Sequence, residues 1–540
     1  MNKVYTSRLL VALLFLLVGT ILSAQQPALS SSLAVDPDYV PLKVQSFRTA
    51  LATAPLEGSI PVQKSPVEVS LPIGKGLSMT FRVVESPIMA PELAAAYPGI
   101  RTYLIRSIDD GQIAGRMMVS DYGVHATILM PQGILTVHPV SMNFTSNHEV
   151  AASWDQPDSQ IPVFAGCNEN SEVDMDKPRA IPQGMSRSIG NGSTIRNYRV
   201  AIVTTGEFHD ANGGTVGAAT ATVVATMNSI QAIYNRELAV NFTVLTPFIY
   251  TDYMADPFNP GLDRPEEAAN AVDAHFNISD YDIGHVFHDQ DQAPAELPGG
   301  GVAGLGVVCD DNMFFGTGPN KAAGWSGSFD NVSAGWIDLA SHEFGHMFNA
   351  PHTFNGTGGS CTSNISSTTS YEIASGNSIM SYNGICGSGQ NIPDGGTADH
   401  YFHANSLQRM FDYMTAFGTC ATTSSNANTP PVVNVNPCGG SHSIPKSTPF
   451  RLTGSATDDD NDPLLYSWEQ YNEDGAGTPT QGFIGATAGA SAIAPLFRSY
   501  PPSSSPTRYF PALNFILSNS YSSSFEPLPS VPRTLKFRLN

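Results

Sequence analysis

The chain has 540 residues, more than one hydrophobic core usually organises, so length alone predicts three or four domains. With 26 basic and 47 acidic residues its formal charge is −21, which argues against a nucleic-acid partner, whose phosphates it would repel, and against docking on an anionic membrane. Forty prolines and 48 glycines place much of the chain in turns and loops.

Residues 1–24 read as a signal peptide: Lys3 and Arg8 are the basic start, residues 9–22 are apolar, and Ala24 is the small residue before the cut. The apolar run is short for a membrane anchor. The protein is therefore expected to be secreted and extracellular, with no membrane contact once the signal is gone. Export permits disulfides among the six cysteines, all of which lie beyond the signal. Residues 25–193 alternate apolar and polar in short runs, at 78–84, 102–105 and 126–129, and predict a β-rich propeptide. The polar stretch 182–193 reads as an exposed linker and processing site, with Arg187 and Arg196 both open as the cut.

Residues 194–424 change texture. Strands at 199–203, 240–244 and 282–287 alternate with helices at 216–236 and 266–276, which predicts an α/β domain. Residues 425–434, with Asn428-Thr429-Pro430-Pro431, form a linker. Residues 435–540 carry short β-like runs and predict an immunoglobulin-like β-sandwich. Its last run, 534–539, has no successor, so this module reads as incomplete. The linker predicts that residues 430–540 are dispensable for the activity of the preceding domain.

The chemistry concentrates in His342-Glu343-Phe344-Gly345-His346. Residues four apart share one helix face, so His342 and His346 aim two imidazoles at one metal. A catalytic zinc needs a third protein ligand and an open position, and it lowers the pKa of a water to about 7. His352 is the third ligand, provided the chain reverses after His346. Asn349 tolerates the left-handed conformation that ends helices, and Pro351 stops the helix resuming. Glu343, beside the ligands, is the expected general base, taking a proton from the water and passing it to the leaving amine.

The pattern HExxHxxGxxH followed by a later methionine turn, here Ser378-Ile379-Met380-Ser381-Tyr382, resembles the metzincin zinc metalloproteases. Residues 198–420 are most similar to the reprolysin-like secreted bacterial members that carry a propeptide. The resemblance implies an α/β metzincin catalytic domain that cleaves proteins or peptides and holds one catalytic Zn2+. It implies a cleft strand from Gly300 towards Cys309, an apolar floor at Met380, and a Tyr382 that approaches the zinc. By the same resemblance Cys309 pairs with Cys420. Cys361 and Cys386 flank the loop before the methionine turn, and a second disulfide closing that loop is expected, since export permits it. That leaves Cys167 and Cys438. A Cys167 thiolate on the open zinc position would act as the cysteine switch of related precursors; a Cys167–Cys438 disulfide and a buried free thiol are the alternatives.

Three positions depart from the pattern. Asn349 replaces the usual Gly, and Thr353 follows the third histidine where reprolysins usually carry Asp. Arg199 stands where a Glu helps bind structural calcium, so no calcium site is predicted there, and the run Asp458, Asp459, Asp460 and Asp462 reads as a solvated turn. His275, His285, His288, His400 and His403 are scattered and not expected to be ligands. Two other readings stay open: a secreted binding or adhesion protein with an inactive metzincin-like domain, and a zinc hydrolase with a non-peptide substrate. Oligomeric state is not legible.

Overall fold

The computed structural model describes residues 38–142, 146–155, 179–180, 192–258, 265–289, 300–313, 318–328, 330–387, 389–392, 399–426, 428–435, 441–472, 483–520 and 524–540. The signal peptide, most of the linker before residue 194, Arg187, Cys167 and Cys438 lie outside them.

The N-terminal region is one antiparallel sheet of eight strands: β1 (Asp38–Pro41), β2 (Glu68–Gly74), β3 (Leu77–Glu85), β4 (Arg101–Ser107), β5 (Ala114–Ser120), β6 (Gly123–Met130), β7 (Gly133–Pro139) and β8 (Asn147–Ala152). Their order is β1-β8-β7-β6-β5-β4-β3-β2. Successive side chains on a strand face opposite ways, and here both faces are covered. Met117, Ile128 and Leu135 enter a core on one face, with Leu51 of the helix Val44–Leu51. Their neighbours Met118, Leu129 and Ile134 join the core of the following domain. This is why β6 is buried along almost its whole length despite being antiparallel.

That second domain is built on β9 (Thr194–Thr204), β10 (Val240–Val244), β11 (Phe248–Ile249), β12 (Ile283–Asp289), β13 (Gly300–Ala303), β14 (Gly324–Ser328) and β15 (Thr422–Ser425). Strands β10, β9, β12 and β14 run parallel, β13 is antiparallel on β14, and β11 and β15 also pair with β9. Val200 and Ile202 of β9 face the long helix Val216–Leu238 and the helix Ala334–Met347, whereas Ala201 and Val203 face the helix Pro265–Asp273. The expected α/β elements are therefore present; the second helix ends at Asp273, three residues early, where His275 and Phe276 tighten into turns on Val272.

The long helix starts on Thr215, whose side chain accepts from the Ala218 amide, and ends at Ala239 in the left-handed region, which turns the chain into β10. It is apolar and long enough to cross a membrane, but 83% of its most apolar stretch is buried inside the fold. The N-terminal sheet supplies much of that cover. Arg116 is fully buried and donates from Nε to Asn228 Oδ1 of this helix at 2.7 Å and from Nη2 to Ser86 Oγ at 2.7 Å. Thr127 and Ser229 share a 2.7 Å hydroxyl hydrogen bond. The segment around Met89 also bonds the outer edge of β10: Val244 N donates to Ile88 O at 2.7 Å and Ala90 N to Val244 O at 2.8 Å. An otherwise open strand edge is thereby closed.

Beyond residue 426 the strands pair two by two: Val432–Asn434 with Ser455–Thr457, Phe450–Thr453 with Thr507–Phe510, and Trp468–Gln470 with Phe537–Leu539. Two facing sheets of a sandwich do not form among the described residues. Prolines at 495, 501, 502, 506, 511, 527, 529 and 532 lack the amide a ladder needs. The region is also not a detached module. Its core of Trp468, Leu496, Phe497 and Phe510 includes Ile373 and Ala374 of the preceding domain. The buried Glu469 accepts from the Ala404 amide at 2.6 Å, opposite the positive end of the helix Ala404–Ala416. A chain ending at residue 427 should therefore melt at a clearly lower temperature than the full chain, because it exposes Ile373 and removes that carboxylate. Equal melting temperatures would mean that the region adds nothing to the stability of the preceding domain.

Candidate metal centre

Ser333 accepts from the Trp336 amide and starts the helix that carries His342, Glu343 and His346. The helix ends at Met347, and Asn349 takes φ +76°, the left-handed turn expected of it. Its amide donates to His346 O at 2.7 Å, and the Ala350 amide to Gly345 O at 3.0 Å. The reversal brings His352 back: Nε2 of His342 and of His346 each lie 3.2 Å from Nε2 of His352.

Each of the three rings is fixed by a backbone carbonyl behind it. Nδ1 of His342 donates to Ile379 O at 2.7 Å, Nδ1 of His346 to Ala350 O at 2.8 Å, and Nδ1 of His352 to Asn364 O at 2.7 Å. A carbonyl only accepts, so Nδ1 holds the hydrogen and each Nε2 presents a bare lone pair. Burial lowers the His342 imidazole to about 4 and holds His346 and His352 well below the usual histidine range. The donors are therefore neutral at physiological pH. Two ligands of a tetrahedral zinc, at Zn–N of about 2.0–2.1 Å, stand about 3.3 Å apart. The 3.2 Å separations of His352 from His342 and from His346 match that spacing, and all three ligand atoms lie within 4.8 Å of one another.

Met380 is fully buried beneath the helix. A Cβ added to Gly345 would come within 2.5 Å of its sulfur, so the glycine inside the motif is what lets the methionine turn approach. Tyr382 is buried between two rings, with centroids 4.6 Å from both His352 and Phe354. Glu343, 1% exposed, lies against the edge strand: a Cβ on Gly301 of β13 would sit 2.5 Å from its Oε1. Gly301→Ala should therefore push the carboxylate aside and lower kcat by roughly 100-fold, since about an ångström of misplacement costs that much, while bound metal is unchanged. Unaltered peptide hydrolysis by Gly301→Ala would remove Glu343 from the reacting position.

Glu372 had no sequence signal beyond the missing carboxylate after His352. It is 1% exposed and accepts from the hydroxyls of Thr353 and Ser378, from the Asn377 amide at 2.8 Å and from the Ser378 amide at 3.1 Å. It thus joins the segment of the third histidine to the turn whose Ile379 carbonyl orients the first. Thr353 in place of Asp leaves the carboxylate to come from nineteen residues downstream.

Both expected disulfides, Cys309–Cys420 and Cys361–Cys386, are formed, with Cα–Cα separations of 5.7 and 4.9 Å. Arg199 pairs with Asp282, Nη2 to Oδ1 at 2.7 Å, so a guanidinium already supplies the positive charge there. Asp458 Oδ1 accepts from the amides of Asp460 and Asp462 at 3.0 Å each, and Asp462 also pairs with Arg106. His285 and His288 are buried on β12 and lowered to about 3 by that burial. His400 pairs with Asp338, His403 caps the helix Ala404–Ala416, and His275 stacks on Phe248.

Residues 194–410 match the family described as Metallo-peptidase family M12B Reprolysin-like. Among solved structures, the crystal structure of metalloproteinase-II from Bacteroides fragilis is similar at 12% identity and a TM-score of 0.37, over 69% of this chain and 96% of that chain. No curated protein matches.

Proposed function

We propose that this chain, whose residues 194–410 match the reprolysin-like metallopeptidases, is a secreted zinc endopeptidase made as a precursor. The observation that carries the reading is the convergence of three neutral, carbonyl-oriented imidazoles beside a buried carboxylate. Zinc held by His342, His346 and His352 would polarise a peptide carbonyl and acidify a water. Glu343 then takes a proton from the attacking water and delivers it to the departing nitrogen. Strand β13 lies at the sheet edge beside Glu343 among the described residues, where an extended substrate can add as a further strand. In this reading Met380 supports the ligands from below without binding metal, and Tyr382, whose ring packs on His352, steadies charge on the reacting carbonyl.

In this reading residues 1–24 are the signal and 25–193 the propeptide, and Cys167 supplies a thiolate to the fourth zinc position in the precursor. Residues 435–540 are an accessory region of short antiparallel pairs packed on Ile373 and Ala374. Casein digestion by the processed protein tests the activity. Cleaved casein is expected. A zinc-loaded, processed protein that leaves casein and short peptides intact would point instead to a binding protein.

A further inference from the structure

The structure assigns a second binding site, for an arginine in an extended peptide segment, to the surface formed by Asn349, Asp310 and Phe417; in the precursor it is filled by Arg179. The inference rests on reading residues 25–193 as a propeptide. Arg179 and Ala180 lie in the stretch that joins the N-terminal sheet to β9. Main chain and side chain of Arg179 are both held. Its amide donates to Asn349 Oδ1 at 2.9 Å, and Asn349 Nδ2 donates back to its carbonyl at 3.3 Å. The side-chain amide of Asn349 thus treats the segment as a neighbouring strand would. The guanidinium forms an ion pair with Asp310, whose side chain is 5% exposed, and lies over the Phe417 ring at 5.7 Å from its centroid.

A buried carboxylate, an aromatic face and a two-way amide clamp are together selective for arginine. The carboxylate takes a charge-assisted hydrogen bond, the ring takes the flat cation, and a lysine would lose the stacking. Asp310 is held for this by Asn312 Nδ2 at 2.6 Å and Asn320 Nδ2 at 3.1 Å. Asn349 ties the site to the metal centre, because it is also the residue that reverses the chain between His346 and His352. A glycine would make that turn equally well but could not hold Arg179. The asparagine is therefore accounted for by recognition as well as by the turn.

The consequence depends on the cut. Cleavage after residue 180 leaves Arg179 on the propeptide, and the site retains it. Once vacated, the site is open to an arginine of another extended segment.

The test uses the full chain carrying Glu343→Gln, so that self-cleavage plays no part. Hydrogen exchange at the Arg179 amide is followed in that protein and in the same protein with Arg179→Ala. Exchange roughly tenfold faster or more is expected in the Ala variant, with no change for Lys177→Ala. Equal exchange with and without the arginine side chain, or equal acceleration by Lys177→Ala, would overturn the site. A second arm adds the peptide acetyl-Lys-Pro-Arg-Ala-Ile-amide to the Arg179→Ala chain and reads contact by saturation-transfer NMR. Binding is expected to the variant but not to the chain with its own Arg179, and not for the peptide with Ala in place of Arg. Binding to neither chain, or to both alike, contradicts the inference. Neither arm needs peptidase activity, so failure of the endopeptidase reading and failure of this site remain distinguishable.

Discussion

Glu343→Gln should lower hydrolysis of a fluorogenic peptide by about a thousandfold, within the range that a positioned general base contributes, while zinc content and melting temperature stay close to those of the parent. The expectation follows from a division of labour visible in the geometry. The three histidines meet at their Nε2 atoms, whereas Glu343, one residue along the helix from His342, lies against Gly301 of the edge strand. The amide keeps the shape and loses the basicity. Substantial hydrolysis by the purified variant would mean that another group takes the proton.

His346→Ala should instead lose the metal. Removing a partner that only orients a ligand costs 10- to 100-fold in metal affinity; removing a ligand outright should cost more than about 100-fold. Dialysed His346→Ala protein should then hold no stoichiometric zinc by atomic absorption, and its peptide hydrolysis should fall to background. His342 and His352 would remain oriented by Ile379 O and Asn364 O, so excess zinc should partly refill the site. One tightly held zinc per chain in the variant would show that the three imidazoles are not the ligand set.

How far the sequence carried these conclusions depended on distance along the chain. The ligand helix, the turn at Asn349 and the return of His352 follow from spacing within eleven residues, and the structure has them where the spacing put them. The long helix and strands β9, β10 and β12 were legible for the same reason, as local periodicity. Glu372 was not, because its partners at Thr353, Asn377 and Ser378 meet only after the loop folds. Nor was the second buried face of the N-terminal sheet. Met118 and Leu129 gain a second covered face only when the long helix is placed against them, and the burial of Arg116 depends on Asn228, more than a hundred residues away. The helix Ala404–Ala416 did leave a signal, in the apolar spacing of Leu407, Met410, Tyr413 and Met414, that a search for 3.6-residue periodicity would have found. In the C-terminal region prolines interrupt the alternation that suggested a sandwich, and the contacts with Ile373 and Glu469 cross more than sixty residues of chain.

Peptide hydrolysis is expected to depend on a zinc held by His342, His346 and His352. Metal content and fluorogenic-peptide hydrolysis, measured on one preparation of the processed protein before chelation, after chelation and after zinc is returned, test it most directly. The expected result is one zinc per chain, loss of hydrolysis with the metal and recovery with its return. Hydrolysis that persists in metal-free protein would contradict it.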